Sequence, residues 1–77
     1  MYDINHLRRQ LADKPKQLEL LELIHKQVAK NPTKQELTII IARKAYSSSL
    51  IKKIIGMMNY KIPYKKIQTD EVTIIKN

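Results

Sequence analysis

The chain has 77 residues with no Cys and one Gly, and its 15 Lys and Arg against seven Asp and Glu give a formal net charge of +8. This length holds one domain at most, residues 1–77, and without Cys neither a disulfide nor a zinc–thiolate site can supplement its core. One Gly cannot form a glycine-rich phosphate loop, and the longest uninterrupted apolar block, residues 39–42, is too short to span a membrane. We therefore expect a soluble, cytoplasmic protein.

The positive charge is concentrated in one part of the sequence. Residues 37–69 contain no acidic side chain and carry seven basic ones: Arg43, Lys44, Lys52, Lys53, Lys61, Lys65 and Lys66. Residues 1–36 are nearly balanced, with seven basic and five acidic side chains. Segregated charge creates a local positive field that attracts a polyanion, so nucleic acid is the leading candidate partner.

Two helices are predicted before residue 31. Asp3 can cap a helix whose apolar residues recur at helical spacing as far as Leu11. Pro15 ends this helix, because the residue before a proline is pushed out of the helical region, and suits the first turn of a second helix running to about Lys30. We expect the second helix to be central to the core. The first helix, within residues 1–14, is a candidate dimer element and could equally pack on its own core.

A third helix is predicted over residues 34–45. Thr33 and Glu36 have the capping-box spacing, in which each side chain satisfies an amide at the helix start. Residues 38–41 are a β-branched run that also suits a strand, and strand stays open as the alternative. Helix is favoured because the cap precedes the run and residues 42–45 follow it without a break.

The fourth predicted helix, over residues 48–58, has two different faces. Its apolar face comprises Leu50, Ile51, Ile54, Ile55 and Met58. Ser49, Lys52, Lys53 and Gly56 follow the i, i+3, i+4, i+7 spacing and therefore line up on one opposite face. A Lys pair on a helix is often only a solvated face, but the absence of acidic neighbours favours a binding role.

Beyond Asn59 the pattern changes from helix to strand. Pro63 excludes a regular helix, and residues 64–68 and 72–75 are β-prone segments separated by Thr69-Asp70-Glu71. A β-hairpin over residues 64–75 is therefore predicted. The expected fold class is mainly α with a C-terminal β-hairpin.

Three to four helices followed by a basic hairpin resemble the winged helix-turn-helix domain of DNA-binding regulators, over about residues 20–75. Residues 31–37 resemble the Pro-Thr-x-x-Glu-Leu opening of that family's first motif helix, and residues 41–45 are similar to its later part. Tyr46 stands where the family has a Gly. The resemblance implies a helical core over residues 15–59 and a wing over residues 60–77.

The resemblance further implies that helix 48–58 enters the major groove of double-stranded DNA, with Lys52 and Lys53 facing phosphates or guanine edges. The hairpin would contact the backbone or the minor groove. The predicted DNA-binding residues are Arg43, Lys44, Ser48, Ser49, Lys52, Lys53, Lys65, Lys66 and Gln68. A small transcriptional or replication regulator fits this arrangement, working as a homodimer on two half-sites.

Other functions are less well supported by the sequence. His6 and His25 lack partners at metal-ligand spacing and no acid pairs with a His or Ser, so we expect no enzyme activity, metal or cofactor. No membrane contact or small-molecule ligand is evident. An RNA- or ribosome-binding protein stays open, although four Tyr without Phe or Trp offer little base stacking. An inhibitor or adaptor that docks an acidic protein partner is the remaining alternative.

Overall fold

The computed structural model describes residues 2–42, 44–63 and 70–76. Within these residues the chain forms three helices and two strands: α1 (Ile4–Gln10), α2 (Pro15–Ala29), β1 (Glu36–Ile40), α3 (Ser48–Met57) and β2 (Glu71–Ile75). The buried side chains of all five elements belong to one hydrophobic cluster. The chain is therefore a small mixed α and β fold, with a strand where the sequence predicts a third helix.

The first two helices are confirmed. The Asp3 carboxylate accepts hydrogen bonds from the backbone N–H groups of Asn5 and His6 at 3.1 and 3.3 Å, which starts α1 as expected. Leu7 and Leu11 are buried in the core. The first helix therefore packs on its own core through Leu7 and Leu11, whereas Ile4 is only partly buried, and a role of this helix in a dimer stays a prediction.

The helix predicted over residues 34–45 is wrong, because Glu36–Ile40 is strand β1. Burial alternates along it: Leu37 and Ile39 are buried, whereas Glu36, Thr38 and Ile40 are exposed. A period of two suits a strand with one face on the core, and β-branched side chains pack well on a pleated surface. The expected helix cap is a turn instead, in which the Lys34 N–H donates to the Asn31 carbonyl oxygen at 3.4 Å.

β1 pairs antiparallel with β2, in a register that runs from Glu36 opposite Ile75 to Ile40 opposite Glu71. The strand predicted at residues 72–75 is thus confirmed as part of β2. The other half of the predicted hairpin, residues 64–68 with Thr69, lies outside the described residues. On its second edge β2 is bridged by Lys61, whose backbone exchanges hydrogen bonds of 3.0 and 2.7 Å with Ile75.

Helix α3 forms where it is predicted, and Ile51, Ile54 and Ile55 of its inner face are at most 1% exposed. It is preceded by a turn, in which the Tyr46 N–H donates to the Ala42 carbonyl oxygen at 3.2 Å. The helix-turn-helix predicted here is therefore replaced, within the described residues, by a strand, a turn and α3. No helix of the described part of the chain is long and apolar enough to cross a membrane.

Candidate nucleic-acid interface

The solvent side of α3 is the candidate interface, and we call it the α3 face: Ser49, Lys52, Lys53 and Gly56. All four residues are exposed, as their helical spacing predicts. With a rise of 1.5 Å per residue, Ser49 and Gly56 lie about 10 Å apart along the helix axis. An α-helix is about 10–12 Å across with its side chains, which matches the roughly 12 Å width of the DNA major groove.

The N-terminal end of α3 separates the roles of its three serines. The Ser47 hydroxyl accepts a hydrogen bond from the Leu50 N–H at 3.2 Å and caps the helix. Ser48 is half-buried, whereas Ser49 is exposed on the α3 face. Because Ser47 already supplies the cap, Ser49 is the serine best placed to contact another molecule.

The two lysines of the α3 face have no acidic counterpart. Neither Lys52 nor Lys53 forms an ion pair with any residue that the structure describes; the ion pairs found there, Arg8–Glu22 and Lys14–Asp13, lie in the N-terminal part. Two adjacent ammonium groups on one exposed helix therefore carry uncompensated positive charge. Such a surface attracts phosphate groups, and the attraction is weakened by salt.

Gly56 is not required by the fold at its position on the α3 face. A Cβ atom built on it meets nothing within 4 Å, and its backbone is helical with no positive φ. Gly in a helix interior costs up to about 1 kcal/mol relative to Ala. A Gly that the fold does not need leaves room for another molecule to approach the helix backbone closely.

The remaining predicted site residues fall into two groups. Lys44 is exposed in the turn before α3. Four others lie outside the described residues, so their positions relative to α3 stay predictions: Arg43, Lys65, Lys66 and Gln68. The prediction does not include Lys61, which is exposed at the edge of the sheet. Its membership of the acid-free segment is the sequence signal that points to it.

A different kind of surface lies on the sheet. The side of β1 and β2 turned away from the core, here called the outer sheet face, carries two exposed carboxylates, Glu36 and Glu71. Between these two residues, the hydroxyl groups of Thr38 and Thr73 form a hydrogen bond of 3.1 Å. Lys61 lies on the same side of the sheet, because it is paired with Ile75, which is in turn paired with Glu36, so the outer sheet face carries charges of both signs.

The two histidines have different surroundings. His25 Nδ1 is hydrogen-bonded to the Tyr2 hydroxyl at 2.6 Å, and His6 is exposed on α1. In the described part of the chain, no group of three or more His, Cys, Asp or Glu could hold a metal ion.

Comparisons with models of protein families, with curated proteins and with solved structures found no match to this chain.

Proposed function

We propose that this protein binds double-stranded DNA through the α3 face and acts as a small transcriptional or replication regulator. The observation that carries the proposal is the exposed Lys52–Lys53 pair, which lies on one helix face within a 33-residue segment free of acidic side chains. Lysines that neutralise phosphates release condensed counterions, which drives binding at low salt. In this proposal α3 is the recognition helix of a winged-helix arrangement, and residues 60–77 form the wing.

The same surface limits the affinity that one copy can reach. The α3 face offers only a few side chains that can reach base edges, so one copy binds mainly through phosphates. Sequence-independent binding of this kind has dissociation constants of about 10⁻⁴ to 10⁻⁶ M at physiological salt. We therefore expect specific operator binding to need two copies on two half-sites, as in dimeric helix-turn-helix proteins.

A titration with DNA and RNA duplexes of matched length and sequence at two salt concentrations tests the proposal. We expect micromolar binding to DNA, weaker binding to RNA, and a steep loss of affinity as salt rises. Equal affinity for both duplexes would favour the RNA-binding alternative. Absence of binding at low salt would refute the proposal and leave an acidic protein as the partner of the basic segment.

A pair of double variants tests the assignment of the site. Lys52→Ala with Lys53→Ala should weaken binding at least tenfold and reduce the salt slope by about two units, one for each phosphate that a lysine no longer neutralises. The matched control removes the same charge elsewhere, with Lys26→Ala and Lys30→Ala at two exposed positions of α2 and its C-terminal end. An equal loss in both double variants would mean that net charge, not the α3 face, governs binding.

A further inference from the structure

A half-open cavity of about 290 Å³ lies between the N-terminal residues, the second half of α2 and the segments that follow α3 and β2. Its aliphatic wall consists of Ile4, Val28, Ala29 and Pro32. The cavity shares no residue with the α3 face. Its volume lies at the lower end of the range of small-molecule sites, which are mostly apolar with a few polar groups.

Three rings form the aromatic wall. The Tyr2 ring stands nearly perpendicular to the Tyr60 ring, at 85° with centroids 5.5 Å apart, and to the His25 ring, at 78° and 5.7 Å. The Tyr2 hydroxyl and His25 Nδ1 form a hydrogen bond of 2.6 Å. Burial raises the pKa of Tyr2 to about 12, so this hydroxyl stays protonated at neutral pH. The interlocked rings give the cavity a preformed apolar wall.

A single ammonium group lines this apolar space. Lys76 Nζ donates a hydrogen bond to the Asn31 carbonyl oxygen. An ammonium has three N–H donors, so Lys76 can still bind a further acceptor. None of the lining residues is acidic. A cation among lining residues that include no acid favours a ligand that carries one negative group.

We infer that this cavity binds a small apolar carboxylate, with its hydrocarbon body against the Tyr2 and Tyr60 rings and its carboxylate on Lys76. The space accommodates roughly a dozen non-hydrogen atoms, the size of a phenyl-substituted short-chain acid. The site is separate from the proposed nucleic-acid interface and does not depend on it.

Two probes of nearly equal shape test the inference: 3-phenylpropionate and its neutral analogue 3-phenylpropan-1-ol. Each is titrated into the ¹⁵N-labelled full chain and followed by NMR chemical shifts. Saturable shifts are expected for the amides of Tyr2, His25 and Tyr60, and the acid should bind about five- to tenfold more tightly than the alcohol. Absence of saturable binding of either probe at millimolar concentration would overturn the inference.

Two variants separate the roles of the walls and the ammonium. Ala29→Leu places a larger side chain in the cavity and should weaken both probes at least tenfold. Lys76→Gln should remove the preference for the acid while the alcohol binds as before. Lys34→Gln is the matched control, since it removes an exposed Lys that does not line the cavity. An acid preference that persists in Lys76→Gln contradicts the site, even if Ala29→Leu proves too unstable to measure.

Discussion

β1 and α3 are both rich in Ile, and the sequence predicts a helix for each, yet only α3 is one. In α3 the buried residues Ile51, Ile54 and Ile55 recur at three- and four-residue intervals, whereas in β1 Leu37 and Ile39 alternate with exposed residues. The two segments differ in the spacing of their buried residues. Residues three or four apart share a face of a helix, because a helix has 3.6 residues per turn, whereas every second residue shares a face of a strand. Ile40, which is 63% exposed, conceals the alternation by placing an apolar residue on the solvent side.

The two segments also differ in the charges that they present to solvent. The α3 face carries Lys52 and Lys53, while the outer sheet face carries Glu36 and Glu71. A polyanion is therefore attracted more strongly to the α3 face, whose charges are all positive, than to the outer sheet face, where Lys61 lies beside the two carboxylates. The predictions below test the difference between the two segments, beginning with the largest expected effect.

Substituting neighbouring isoleucines of β1 should have very different effects on stability. Ile39→Ala removes a side chain that is 0% exposed and should lower the free energy of unfolding by about 3 kcal/mol. Ile40→Ala, the matched control, removes a side chain that is 63% exposed and should change it by about 0.5 kcal/mol or less. Urea denaturation measures both. Equal losses of unfolding free energy would contradict the assignment of Ile39 to the core side of β1 and Ile40 to its solvent side.

Neighbouring serines of α3 should separate stability from binding. Ser47→Ala removes the hydroxyl that caps the helix and should cost about 1 kcal/mol of unfolding free energy. Ser49→Ala leaves the cap intact and should affect DNA affinity but not stability. Thermal unfolding and DNA titration of both variants check the two effects. A stability loss from Ser49→Ala as large as that from Ser47→Ala would show that the cap is misassigned.

The helices could be predicted from the sequence because their signals are local. Asp3 and Pro15 mark the start of α1 and α2, and the exposed side of α3 follows from spacing alone. β1 could not be recognised locally, because its partner β2 is more than 30 residues away and the spacing of Thr33 and Glu36 imitates a helix cap. Spacing likewise predicts that Lys52 and Lys53 share an exposed face, whereas their role in binding stays a prediction.

The cavity beside Tyr2 could not be predicted from local sequence patterns either. Its walls bring together residues from Tyr2 to Lys76, almost the whole length of the chain. No short motif connects them, because they come from both chain ends, from α2 and from the segment after α3, and only the packing of these parts makes them neighbours. Sequence patterns report the faces of single elements, while sites built between elements depend on the tertiary fold.

The smallest expected effect, at Gly56, separates a fold requirement from a binding requirement. Gly56→Ala should raise the free energy of unfolding by about 0.7 kcal/mol, because Ala restricts the unfolded chain and its Cβ meets nothing within 4 Å. If DNA approaches the backbone of α3 at this position, the same variant should weaken binding several-fold while it stabilises the protein. Denaturation and DNA titration of the one variant measure both quantities. Unchanged affinity would place the DNA nearer the Ser49 end of the α3 face, and a loss of stability would contradict the open space beside Gly56.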